Sequence, residues 1–248
     1  MDVTAAILLI GDEILSGKVA DENASYLIGE LRELGVSLRR VLVIPDDLDT
    51  IAREVRALSD AHTHVFTSGG VGPTHDDLTM AGVARAFDMK LARHPRLEQL
   101  LRMYYGSTGR PPEQWERNLV MADVPDGVEL VAGDTLPWPV TRVKNVYVMP
   151  GVPLILKQKW RAIKESFRQT PWSNAAIYLS IDEGPLAAHL DRVVREHPTV
   201  ACGSYPRFDA AADYKVKVTL ESKDAPAVAA AKAALLAWLP ESWVLRVE

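Results

Sequence analysis

The 248-residue chain has a single cysteine, Cys202, so it can build neither an internal disulfide framework nor a cysteine-based zinc site. That scarcity points to a reducing, intracellular setting, and the cytoplasm is the expected location. Excess positive charge is lacking too: 28 Lys and Arg stand against 33 Asp and Glu, a formal net charge of −5. Polynucleotide binding draws on a clustered basic surface, so no nucleic acid partner is expected. No uninterrupted apolar run approaches the roughly 20 residues of a membrane helix. The short run Ile7–Ile10, close behind Asp2, has no basic segment before it and does not make a leader. No membrane association is expected.

Two catalytic signatures are missing as well. Gly11 to Val19 has one residue too many between its glycines for a P-loop and puts Val19 where Ser or Thr holds magnesium. Ser16, Ser68 and Ser204 lack a nucleophile-elbow pattern, and nothing indicates a serine-histidine-acid triad. The histidines show no metal-ligand spacing.

What is present is an alternation of strand and helix. Ala5–Ile10 is wholly apolar and closed by Gly11, as in a strand buried on both faces. An amphipathic helix with Tyr26, Leu27, Leu31 and Leu34 follows Asn23 and stops at Gly35. Residues 40–45 repeat the buried-strand pattern, Ile51, Val55 and Leu58 line a second helix, and residues 64–67 form a third strand. Helices follow at 78–87 and near 97–105, then a proline-rich stretch with short strands at 128–131 and 145–149. Such alternation predicts a three-layer α/β/α domain around a mainly parallel sheet, over residues 1–170. Beyond Pro171 the order becomes β-α-β-β-α-β, which predicts a smaller ferredoxin-like α+β domain over 171–248. The tryptophans at 115, 138, 160 and 172 are expected in core packing or domain contacts.

Ligands of a parallel sheet bind outside the carboxyl ends of its strands. Three loops leave at that edge, carrying Asp12 and Glu13, then Asp46 and Asp47, then Asp76 and Asp77. Aspartate is also common in turns and helix caps, so capping competes with catalysis for each of them. The third loop reads Thr-Ser-Gly-Gly-Val-Gly-Pro-Thr-His-Asp-Asp-Leu-Thr from 67 to 79. Gly69, Gly70 and Gly72 let the backbone approach an anion, and Thr74 and Ser68 add hydroxyl donors. The expected ligand is therefore a phosphate-bearing nucleotide or pterin. Carboxylates beside a phosphate repel it unless a cation intervenes. A divalent metal, magnesium, manganese or cobalt, is accordingly expected on Asp46 and Asp77, with Asp76 as a further catalytic residue. His75 is either an assisting base or merely solvated.

These segments resemble the MoaB/Mog molybdopterin-binding superfamily, and within it the amino-terminal domain of CinA and the molybdopterin-binding-like domain of FAD synthases. The resemblance is carried by Gly11-Asp12-Glu13-Ile14-Leu15-Ser16-Gly17 with Asn23, by Pro45-Asp46-Asp47 and by the glycine loop. Asn118, Met121-Ala122 and Pro150-Gly151-Val152-Pro153 extend it, and residues 177–184, 203–206 and 214–217 are similar to the FAD synthase version. The resemblance implies that the acids at Asp46 and Asp77 serve either adenylyl transfer to molybdopterin or metal-dependent cleavage of nucleotide pyrophosphates. Residues 132–138 and Leu154-Ile155-Leu156 depart from the CinA pattern and favour the FAD synthase branch. Neither CinA's amidase domain nor a nucleotidyltransferase domain lies in these residues, so neither deamidation nor FAD synthesis is expected of them. The leading expectation is a metal-dependent pyrophosphatase acting on FAD, ADP-ribose or a related dinucleotide. Molybdopterin adenylylation and a non-catalytic binding module are the alternatives, with a homo-oligomer allowed.

Overall fold

The computed structural model describes residues 2–209 and 212–248. The chain divides into two compact units, one ending at Gln169 and the other beginning at Thr170. Both follow from where their apolar residues must go.

In β1 (Thr4–Ile10) successive side chains point to opposite faces. Ala5, Ile7 and Leu9 meet Leu27 and Leu31 of α2 (Asn23–Glu33) and Leu156 and Trp160 of α6 (Pro153–Ile163). Ala6, Leu8 and Ile10 meet Ile51, Val55 and Leu58 of α3 (Leu48–Ala61) and Val83 and Ala86 of α4 (Thr79–Ala86). A strand covered on both sides has no polar face, which is why its sequence is an unbroken apolar run. The sheet runs β2 (Ser37–Ile44), β1, β3 (His64–Ser68), β8 (Val146–Met149), β7 (Val140–Val143), β6 (Glu129–Val131). Its first four strands are parallel, and β7 and β6 add an antiparallel edge. Helices on both faces complete the three layers of a mainly parallel α/β fold.

Two contacts fix the helices. A Cβ on Gly82 of α4 would stand 2.2 Å from Ile51 Cγ2, so only glycine lets α4 lie this close to α3. On the other face Trp160 Nε1 and Lys164 Nζ both donate to Glu30 Oε2, at 2.8 Å each, tying α6 and the turn after it to α2. Lys159 is buried beneath residues 132–139, where its amine donates to the Trp138 and Pro139 carbonyls at 2.9 and 2.5 Å. With no carboxylate beside it, burial pushes its pKa down to about 7.

Between β3 and β8 the chain adds an excursion. A two-stranded ribbon, β4 (Leu91–Arg93) against β5 (Asp123–Pro125), packs with α5 (Pro95–Ser107) around Leu97, Leu101, Trp115 and Leu119. The proline-rich stretch is thus more ordered than its composition suggests. Trp115 and Trp160 are core residues, as expected.

The second unit has the order β9 (Ser173–Leu179), α7 (Glu183–Glu196), β10 (Ala201–Pro206), β11 (Val216–Ser222), α8 (Ala225–Trp238), β12 (Val244–Val247). Its antiparallel sheet runs β10-β11-β9-β12. The two strands joined by α7 lie either side of β11, which is the split arrangement of a ferredoxin-like domain. Ile177, Val218 and Leu220 face Leu186, Val193, Val228 and Leu235 in one core. Among the described residues no helix is long and apolar enough to cross a membrane.

Candidate functional site

The carboxyl ends of β2, β1, β3 and β8 line up along one edge of the first sheet. Asp12 begins α1 (Asp12–Leu15), the short turn of helix after β1. Its amide donates to Asp46 Oδ2 at 2.9 Å, which joins the first two loops. Burial, with the charges of Glu13, Asp12 and Asp76 adding to it, outweighs that bond and raises the Asp46 pKa above the ordinary carboxylate range. Four of the six expected carboxylates therefore feel one another here. Asp47 does not join them. It caps α3, accepting from Thr50 N at 2.8 Å, and the Thr50 bonds lower its pKa.

The loop after β3 is held by close packing. Gly69 has φ +106°, and a Cβ there would stand 2.1 Å from the Ile10 carbonyl oxygen. Gly70 has φ +62°, and its Cβ would stand 2.4 Å from Thr79 Oγ1, the hydroxyl that donates to Gly69 O at 2.8 Å. Asp77 lies inside the turn. Its Oδ1 accepts from Gly72 N at 2.6 Å, and its Oδ2 accepts from Thr74 N at 2.8 Å and Thr74 Oγ1 at 2.5 Å.

Both Asp77 oxygens, one half of the pair expected to hold a metal with Asp46, take hydrogen bonds from the loop in this conformation. Among the described residues, no three His, Cys, Asp or Glu side chains are grouped to hold a metal ion. Burial and the charges of Glu13, Asp12 and Asp76 disfavour the ionised form of Asp46, an effect that a cation beside it would offset. Of the expected phosphate donors, Gly72 and Thr74 are turned toward Asp77. The Gly70 and Val71 amides donate no hydrogen bond to another of the described residues. Asp76 stays outside the turn, its pKa lowered by Thr74 and its own amide. His75 is 98% exposed, with Nδ1 3.8 Å from Asp76 Oδ1.

Ser68 is not an exposed donor either. It is buried, accepts from Asn23 Nδ2 at 2.9 Å and donates to Pro150 O at 3.3 Å. Asn23 Nδ2 also reaches Gly151 O at 2.7 Å, and Asn23 Oδ1 is buried without a partner. Ser68 and Asn23 therefore tie the start of α2 to the starts of the loops after β3 and β8.

A cleft of about 350 Å³ opens against the glycine loop. Gly70, Val71, Gly72, Thr74 and Asp77 form one wall, and Met80, Leu91, Val120 and Met121 give the rest an apolar character. At its edge Arg93 and Asp123, opposite each other in the β4–β5 ribbon, form a two-point ion pair. Sequence reasoning passed over both residues. The only nearby signal was the Met121-Ala122 segment, because a salt bridge between strands thirty residues apart leaves no local pattern.

Comparison with known proteins identifies the family of each unit. Residues 6–169 match the family model described as a probable molybdopterin binding domain, and residues 171–248 match the one described as FAD synthase, middle domain. A protein of Archaeoglobus fulgidus is 35% identical over 81% of this chain and 85% of its own length. A probable FAD synthase of Caenorhabditis briggsae is 32% identical over 94% of this chain but only 49% of its own length, so the chain spans about half of that relative. Among solved structures, the protein CinA of Thermoplasma acidophilum, described as of unknown function, superposes with a TM-score of 0.59 at 28% identity. The match covers 67% of this chain and 98% of that one.

Proposed function

The chain belongs to the molybdopterin-binding domain family, whose members bind nucleotide-like or pterin-like small molecules, and from that premise we propose that it hydrolyses a nucleotide pyrophosphate. The substrate class is FAD, ADP-ribose or a related dinucleotide, and the products are two monophosphates. The observation that carries the proposal is Asp46, set by the Asp12 amide among Glu13 and Asp76 on the same strand-end rim as the glycine loop. An anhydride needs anion donors on one side and carboxylates that handle water or a cation on the other. This rim brings both together.

In this reading the free amides of Gly70 and Val71 receive a phosphate oxygen, and Asp77 holds the loop in the shape that presents them. Asp46, Asp12, Glu13 and Asp76 orient the attacking water on the phosphorus, whose bond to the bridging oxygen breaks as the second monophosphate leaves. One ring of the substrate enters the cleft between Met80, Leu91 and Met121. A divalent cation carried on Asp46, magnesium, manganese or cobalt, would neutralise the phosphates and polarise the phosphorus. Because no three metal ligands are grouped among the described residues, the remaining ligands on such a cation would come from the phosphates and water.

The test is to incubate purified protein with FAD, ADP-ribose and NAD, with each metal in turn, and to separate the products by chromatography. FMN and AMP from FAD support the assignment, and no turnover with any metal and substrate overturns it. Binding without turnover makes the chain a non-catalytic ligand-binding module.

A second reading has support in the family description and in the cleft's Arg93–Asp123 edge, which suits the amide edge of a pterin ring. There the site transfers an adenylyl group from ATP to molybdopterin. Adenylylated product from molybdopterin and ATP would establish it in place of the hydrolase.

A further inference from the structure

The start of α6 carries a close group of exposed apolar side chains beside the glycine loop. Val152, Leu154 and Ile155 are 55%, 78% and 42% exposed within four residues. Single exposed apolar residues are ordinary, but a group this close together leaves a surface to be covered. The group adjoins the candidate site. Asn23 Nδ2 bonds Gly151 O at 2.7 Å, Glu22 pairs with Lys157 at 3.5 Å, and a Cβ on Gly151 would stand 3.3 Å from Gly69 Cα. The glycine loop thus has the cleft on one side, along Gly70 to Asp77, and the α6 rim beside Gly69.

Resting on the pyrophosphatase reading, we propose that the rim of Val152, Leu154 and Ile155 is the subsite for the second half of a two-ended substrate, and that it selects a fused aromatic ring over a sugar. FAD and ADP-ribose share an adenylate half and differ beyond the second phosphate. A bare ribose brings hydroxyls, which lose water against an apolar wall and find no partners there. The methylated benzenoid edge of an isoalloxazine ring buries apolar surface against the same side chains. The rim therefore sorts substrates by the half in which they differ, and the cleft accepts the half they share.

The experiment measures metal-free binding of FAD by flavin fluorescence and of ADP-ribose by calorimetry, with hydrolysis of both followed in parallel. Wild type is compared with the double variant Leu154→Gln, Ile155→Gln, whose exposed positions leave the fold intact, as thermal unfolding checks. The expected result is FAD binding weakened about tenfold and ADP-ribose binding changed less than about twofold. Equal weakening of both ligands, no weakening, or no FAD binding by wild type overturns the proposal. A shift of the variant to a smaller sedimenting species also overturns it, by showing that a second copy covers the rim. The two readings separate cleanly. Selective loss of FAD binding without turnover removes the hydrolase and keeps the rim, whereas turnover that the double variant leaves unaltered does the reverse.

Discussion

The loops after β2 and β3 each carry two consecutive aspartates, and each uses them differently. In the first, Asp47 caps a helix and Asp46 faces its acidic neighbours. In the second, Asp77 closes its own turn and Asp76 stays outside. Asp47 and Asp77 satisfy amides within their own loops, whereas Asp46 reaches across to the Asp12 amide of a neighbouring loop. The pairing of acids is thus partly a folding requirement. The exits also differ in tightness, since the second needs glycines packed on neighbouring backbone and the first needs only a cap.

The largest effect is expected at the tighter exit. Gly69→Ala drives a Cβ into the Ile10 carbonyl from a positive φ, so a loss of roughly 3 kcal/mol or more is expected in denaturant unfolding. A loss under about 1 kcal/mol would show that the two exits are equally forgiving.

Next comes Asp77→Ala, which removes the acceptor for Gly72 N, Thr74 N and Thr74 Oγ1. A loss of about 2 kcal/mol is expected, together with faster amide exchange across residues 70–77. Unchanged exchange would mean that the turn is held by its glycines alone.

Asp47→Ala costs less, because a single exposed cap is lost. The Thr50 bonds lower its pKa, so the cap's contribution is present above the ordinary aspartate range and disappears as pH falls through the lowered value. Unfolding midpoints of wild type and variant should differ at pH 7 and converge in acid.

The smallest effect, and the one of opposite sign, belongs to Asp46→Asn. Burial raises the Asp46 pKa, so the native state binds this proton where the unfolded chain has released it, and wild-type stability falls as pH rises through the raised value. The variant should therefore be slightly more stable than wild type at pH 7, with the advantage shrinking below about pH 4. A variant less stable at pH 7 would place Asp46 among the structural carboxylates with Asp47 and Asp77.

Much of this organisation was legible in the sequence. The unbroken run of β1 and the faces of α2 and α3 carry strong periodicity, and the element order of the second unit survives in its spacing. The glycine loop was found for its supposed approach to a ligand, yet Gly69 and Gly70 are demanded by Ile10 and Thr79 within the protein itself. Side-chain direction was not legible. Whether Asp77 points out or in depends on φ at glycines whose conformation the residue names leave open. The β4–β5 ribbon escaped because three-residue strands show no period, and with it went Arg93, Asp123 and the cleft wall. Ser68 looked like a ligand donor and is a buried link between loops.

The most direct measurement compares Asp46→Asn with Asp47→Asn in metal-supported hydrolysis of FAD. The account predicts that Asp46→Asn lowers kcat/KM by about a hundredfold or more and that Asp47→Asn stays within about threefold of wild type. Equal losses in the two variants, or an Asp46→Asn enzyme as active as wild type, would contradict it.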